Sequence, residues 1–358
     1  MSIKYTILKI ISFMDKRSIS YSILDLAIVP KGSSTKQTIE NAVVLAQKAE
    51  SFGYKRIWFA EHHNSAAIAS NAPQILIGRV AQETKTIRVG SGGIMLPNHS
   101  PLIISEQFGT LGTMYPNRID MGLGRAPGTD QETAHAIKPG FYQATQSFPN
   151  DIDQIQNYFS LENRSSKVRA PIAEGVEVPI YILGSSTDSA HLAAKKGLPY
   201  AFASHFATAH LFNALGIYRA EFKPSEELEK PYTIAGINVF IAETDAEAQS
   251  MATSFVKMII GLLTGNRGDY LEEASEMTPE LMETLQHPAV HQMTKYSFIG
   301  SKETVKTQIK AFLDQTKVDE VIVSTNCHNQ TARINSYQMF AQLMDELNMV
   351  HTEMETVH

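Results

Sequence analysis

Arg56-Ile57-Trp58-Phe59-Ala60-Glu61-His62-His63 runs from an apolar strand straight into a cluster of titratable side chains. Three later segments share this pattern: Gly90-Ser91-Gly92-Gly93-Ile94-Met95-Leu96-Pro97, Gly122-Leu123-Gly124-Arg125 and Leu183-Gly184-Ser185-Ser186. Each begins as a short buried strand and ends in residues suited to chemistry or to holding an anion. A (β/α)8 barrel collects such residues at the carboxyl ends of its parallel strands.

The pattern continues outward in both directions. Strands are expected at 23–29, 56–60, 87–94, 119–123, 179–183, 200–203, 232–242 and 320–324. Helical spacing fills the gaps: Ile39, Val43, Ala46 and Ala49, then 73–83, 102–114, 152–161, 188–196, 207–222, 245–264, 302–315 and 331–347. Residues 125–140 and 163–178 read as loops, and 265–296 as a charged, Met-rich insertion, part helix and part loop. Short apolar strands separated by helices mean a parallel sheet covered on both faces. Eight such units favour a closed barrel over an open sheet. An open dinucleotide-binding sheet would carry G-x-G-x-x-G after its first strand, and Val29-Pro30-Lys31-Gly32 does not. One barrel domain is expected over 20–350, after an N-terminal extension over 1–19.

The chain has 358 residues, 43% hydrophobic composition and a formal net charge of -6. Without a basic block, nucleic-acid binding has no support. No apolar run approaches the roughly 20 residues of a membrane span. The single cysteine, Cys327, excludes an internal disulfide and suits a reducing compartment. The first segment, Met1 to Phe13, is interrupted by Lys4 and Lys9 and lacks a small-residue cleavage site. A cytoplasmic protein with a loosely packed extension is expected, and Met14 is an alternative start.

Four groups could carry chemistry. Of His62 and His63, only one can face the barrel mouth, because adjacent side chains on a strand point to opposite sides. A neutral imidazole there is a ready general base; a structural Glu–His hydrogen bond is the other reading. Catalytic zinc needs three converging ligands, and a His-His pair is poorly spaced for it, so no metal is expected. Leu183 to Ser189 offers hydroxyls and free N–H groups at a helix start, which suits either a phosphate or ordinary capping. Arg125, on the neighbouring strand tip, suits a phosphate or a surface ion pair. The glycines of Gly90-Ser91-Gly92-Gly93 fit close approach by a flat ligand or a bulge. Cys327 reads as a buried, inert thiol.

These phrases together resemble the bacterial-luciferase-like flavin monooxygenases, near alkanal monooxygenase. The resemblance spans about Ser20 to Leu347. It also includes Met95-Leu96-Pro97-Asn98-His99-Ser100-Pro101-Leu102, Glu106-Gln107-Phe108, Tyr115-Pro116-Asn117-Arg118-Ile119-Asp120 and Gly197-Leu198-Pro199-Tyr200-Ala201-Phe202-Ala203. It implies a barrel that binds reduced FMN, reacts it with O2 to a flavin C4a-peroxide, and oxygenates an aldehyde or another small organic substrate. It implies His62 as the catalytic histidine and Arg125, Ser185, Ser186 and Ser189 at the FMN phosphate. Ser91, Gly92 and Gly93 would lie against the flavin ring, with a non-proline cis peptide, and Gly124 would stand where luciferase has a reactive cysteine. Ser185 replaces an acidic residue of luciferase. Both departures, and the absence of its long protease-sensitive loop, argue against light emission and a long-chain aldehyde. A separate flavin reductase is implied, since no nicotinamide motif is present. A homodimer through the helices after strands two and three is implied by analogy. A flavin- or deazaflavin-dependent dehydrogenase and a flavin-storing protein are the alternatives.

Overall fold

In the computed structural model, residues 18–265 and 270–353 are described. The expected extension over 1–19 lies mostly outside them. Nine parallel strands form the sheet. They are β1 (Ser20–Asp25), β2 (Arg56–Phe59), β3 (Arg88–Met95), β4 (Ile119–Gly124), β5 (Ile180–Gly184), β6 (Tyr200–Phe202), β7 (Thr233–Ala242), β8 (Ser297–Ser301) and β9 (Glu320–Ser324). Strands β1 to β7 and β9 close a ring of eight, with β7 bonded to both β6 and β9 and β9 returning to β1. The expected (β/α)8 barrel is therefore the fold.

The helices are α1 (Thr35–Ser51), α2 (Pro73–Glu83), α3 (Pro101–Met114), α4 (Gln131–Ile137), α5 (Phe141–Phe159), α6 (Thr187–Lys196), α7 (Leu211–Glu221), α8 (Asp245–Thr264), α9 (Pro279–Gln286), α10 (Pro288–Thr294), α11 (Lys302–Thr316) and α12 (Gln330–Glu353). Local chemistry sets many of their ends. Ser34 accepts from the Gln37 N–H at the start of α1, Thr244 and Glu247 make a reciprocal cap on α8, and Gly197 ends α6 with a φ of 64°.

Four expectations need correction. The first strand ends at Asp25 rather than 29, because the Asp25 carboxylate takes the Ala27 N–H and Ala27 turns to a φ of 48°. The helix expected from 152 begins at Phe141 and runs through Pro149. The loop over 125–140 contains α4, started by Asp130 accepting from the Thr133 N–H. Strand β8 was not expected at all. It pairs with Asn238–Ala242, the upper half of β7, beyond the reach of the three-residue β6.

Alternation along the strands separates two cores. Ala235, Ile237, Val239 and Ile241 pack outward against helices, in one cluster with Ile57, Phe59 and Val89. Leu24, Trp58, Ala60, Tyr181, Ala201, Ile234 and Ile322 pack inside the barrel. Beneath them, at the amino ends of the strands, Arg56 bonds Asp120 at 2.7 Å and Glu320 at 2.9 Å with almost no exposure. Tyr181, Trp58 and Ser22 complete this plug, each hydrogen-bonded to one of the three charges. Every charge is answered, which a buried ionic cluster requires.

Candidate active site at the carboxyl end of the barrel

The same alternation decides what faces the mouth. Arg56, Trp58 and Ala60 point inward, so His62 follows on that side, and Glu61 and His63 share the other. In the extended segment after β2, His63 Nε2 meets Glu61 Oε1 at 2.8 Å. Glu61 is fully buried. Its carboxylate also accepts from the Met95 N–H at 2.9 Å and from Asn98 Nδ2 at 3.0 Å, and lies 2.9 Å from His99 Nε2. Burial alone would raise its pKa. The hydrogen bonds from His63, His99 and Asn98 and the His99 charge win, and hold it down to about 2. Glu61 therefore joins the end of β2 to the end of β3 and the turn after it. Asn98 extends the link to the loop after β4 by donating to Pro127 O at 3.0 Å. Glu61, Asn98 and His99 were all in quoted phrases, yet their convergence had no signal in the spacing.

His62 Nδ1 sits 3.3 Å from the Gly128 carbonyl. A carbonyl only accepts, so Nδ1 carries the proton and Nε2 the lone pair. Burial lowers the His62 pKa, with the Gly128 bond and the Glu61 charge opposing. The ring is neutral near pH 7 and has its basic nitrogen free of that bond.

The glycine-rich tip of β3 is a bulge. Its register with β4 shifts between Gly92 and Ile94, and the Gly92–Gly93 peptide is cis. Ser91 is buried, with its hydroxyl donating to Gly122 O at 2.9 Å and accepting from the Gly122 N–H at 3.0 Å, so the side chain stitches β3 to β4. A methyl on Gly92 would strike Leu24 and Trp58, which places Gly92 in the lumen. Gly124 faces Met95. At this end the inward positions carry small residues, Ala60, Gly92, Gly124, Ala203, Gly236 and Ser324, together with Leu26 and Leu183, which pack on the inner cluster.

The anion loop behaves as two parts. Ser186 has the extended dihedrals of a cap, yet no side chain caps α6. Its first-turn N–H groups are open to a ligand, and the helix dipole favours a negative one. Ser185 is exposed beside it. Ser189 turns its hydroxyl under the loop, donating to Ser186 O at 2.9 Å and lying 3.0 Å from the Tyr200 hydroxyl. Arg125 reaches the same helix end and pairs with Asp188 at 3.2 Å, both half exposed or more. The expected adjacency of Arg125 and the Ser185-Ser186 loop is present.

Among the described residues no group of three His, Cys, Asp or Glu side chains is placed to hold a metal ion, and no helix is long and apolar enough to cross a membrane. Cys327 is buried, and burial pushes its thiol up to about 12, so it stays protonated. One mouth residue, His205, was not anticipated. It sits in the segment after β6, where the sequence suggested only the start of a helix.

A family model described as luciferase-like monooxygenase matches residues 19–320. A luciferase-like monooxygenase of Escherichia coli K12 is 42% identical over 334 residues, 93% of this chain and 99% of its own length. Among solved structures, apo-MsnO8 is similar at a TM-score of 0.83 and 30% identity, over 91% of this chain and 98% of its own. The oxygenating constituent of a 3,6-diketocamphane monooxygenase from Pseudomonas putida, solved with FMN, shares the fold at a TM-score of 0.68 and 16% identity, over 91% and 97%.

Proposed function

The chain belongs to the luciferase-like monooxygenase family, and from that membership we propose that it is an FMN-dependent monooxygenase acting on an aldehyde or another small organic substrate. The observation that carries the reading is the ring of small inward residues above a packed barrel floor. Ala60 and Ala203 keep the wall short, and Gly92 leaves the β3 backbone bare over Leu24 and Trp58 for close approach by a flat ring system, where filled barrels carry branched side chains; the places of Gly124 and Gly236 are taken by Met95 and His205.

The residues present fit FMN. The open N–H groups of α6, with Ser185 and Ser186, would receive its phosphate, and Arg125 would exchange Asp188 for that phosphate. Ser189 holds the loop in shape through Ser186 O and Tyr200. The backbone of Ser91, Gly92 and Gly93 would lie against the ring. Reduced flavin, when bound, supplies two electrons to O2, so that one oxygen atom enters the substrate and the other leaves as water. His62 accepts or returns a proton at Nε2, and the Gly128 carbonyl holds its tautomer through the cycle. Glu61 keeps the three loops behind His62 in register. Reduced flavin comes from a separate reductase, and the small organic substrate and O2 enter by the mouth.

Rapid mixing tests this directly. The protein is loaded with reduced FMN, mixed with O2, and followed by flavin absorbance. Return of oxidised flavin much more slowly than in free solution, with oxygen found in an added aldehyde, is the expected result. Immediate reoxidation despite tight binding points instead to a flavin- or deazaflavin-dependent dehydrogenase or a flavin-storing protein.

A further inference from the structure

His205 follows β6 and reaches back into the barrel. Inward positions on β7 alternate through Ile234, Gly236 and Asn238, and a methyl built on Gly236 would lie 2.4 Å from His205 Nδ1. The imidazole thus occupies the space that the missing side chain of Gly236 leaves, one step above the Trp58 and Ile234 layer. Its backbone is fixed there, because Asn238 Nδ2 donates to His205 O at 2.7 Å and the neighbouring Ser204 hydroxyl donates to Gly236 O at 2.7 Å. Phe206 stands edge-on to the ring at 4.9 Å, itself 45% exposed.

The ring has a polar asymmetry. Nδ1 is buried and has no hydrogen-bond partner among the described residues, whereas Nε2 is not among the buried, unpaired atoms. A neutral imidazole has one N–H and one lone pair. Burying the N–H without an acceptor is the costlier arrangement, since orphaned donors are rarer in folded proteins than under-used acceptors. The proton therefore sits on Nε2. Burial pushes the His205 pKa down to about 4, with the His62 charge adding to the effect, so the ring is neutral at pH 7. In the ring of eight strands, β2 and β6 are four apart. His62 and His205 thus follow strands on opposite sides of the ring, one with a lone pair and the other with an N–H to offer a ligand in the mouth.

We propose that His205 is a specificity-determining residue, donating from Nε2–H to an acceptor oxygen or sulfur of the organic substrate while His62 faces that substrate from the opposite wall. The proposal rests on the oxygenase reading for what the substrate is, but its geometry does not need flavin. Phe206 beside the donor favours a polar atom flanked by short apolar chain.

Side-chain 1H–15N NMR of labelled protein tests it, with hexanal, 2-hexanone and dipropyl sulfide as probes, with and without FMN. FMN binding is followed separately by fluorescence quenching. His205→Gln keeps a donor at the same reach, His205→Leu removes it, and Gly236→Ala displaces the ring. We expect the Nε2–H tautomer in free protein, and a shift of His205 Nε2 by at least one probe. Affinity for that probe should fall about 10-fold in His205→Leu, the size of one lost hydrogen bond, and be largely restored in His205→Gln. FMN binding should not change in either. An Nδ1–H tautomer, no shift with any probe, or equal losses in Leu and Gln would overturn the proposal. Failure of the wild-type protein to bind FMN would remove the flavin reading instead, and the probe shifts would still decide the role of His205.

Discussion

At Glu61, donors from three segments converge on one buried carboxylate. Its pKa is held down to about 2, so folding is favoured by its ionisation above the unfolded value near 4.5. That stability, roughly 3 kcal/mol, is lost as pH falls from about 4.5 through about 2. Glu61→Gln should be less stable at pH 7 and should show a flatter acid limb in denaturant titrations. His62 is the neighbour with the opposite duty. Because burial lowers its pKa, the acid limb of kcat/KM should lie below the usual histidine value of about 6.5. His62→Ala should cut turnover by about 10²–10⁴ while flavin affinity holds. Loss of both together would make His62 a structural residue.

At two elements, single atoms matter. Where β3 passes β4, a methyl at Gly122 would lie 2.1 Å from Ser91 O, a backbone atom that cannot step aside. Gly122→Ala should destabilise the protein by about 1–3 kcal/mol or disrupt the bulge, read as a lower midpoint in urea. At the start of α6, Arg125 pairs with Asp188. Arg125→Ala should weaken FMN about 10-fold and leave riboflavin, which has no phosphate, unchanged. Asp188→Asn should act the other way, since it frees Arg125 and removes a negative charge beside the proposed phosphate site. Equal effects on FMN and riboflavin would place the phosphate elsewhere.

For the whole molecule, the polar plug of Arg56, Asp120 and Glu320 fills one end of the barrel and the candidate site lies at the other. Stability and chemistry are thereby kept at opposite ends. On the outside, Ile75 of α2 is 73% exposed and Ile103 of α3 is 47% exposed. These are the two helices, after β2 and β3, through which a homodimer is expected. Light scattering after gel filtration should report a dimer, and Ile75→Asp should shift it to monomer without loss of helical signal. A monomeric wild-type protein would end that expectation.

The strand-then-helix rhythm, and hence the closed barrel, was legible in the chain because apolar periodicity and Gly and Pro punctuation are local properties. So was the collection of His62, Arg125, Ser185 and Ser186 at one end, since parallel strands deliver all their carboxyl ends to the same side. Strand β8 was not legible: Ser297-Phe298-Ile299-Gly300-Ser301, with two serines and a glycine in five residues, is too polar to announce a strand, and it pairs where β6 leaves the upper half of β7 unpaired. The reach of α5 through Pro149 was hidden for a like reason, since what holds the helix across the proline is the burial of its own Phe148, Ile152 and Ile155 against the rest of the fold. His205 shows the limit most plainly. Nothing around it in sequence marks it, and Gly236, which makes room for it, lies 31 residues away on another strand. Periodicity determines which face a side chain takes; only closure of the barrel decides which faces meet.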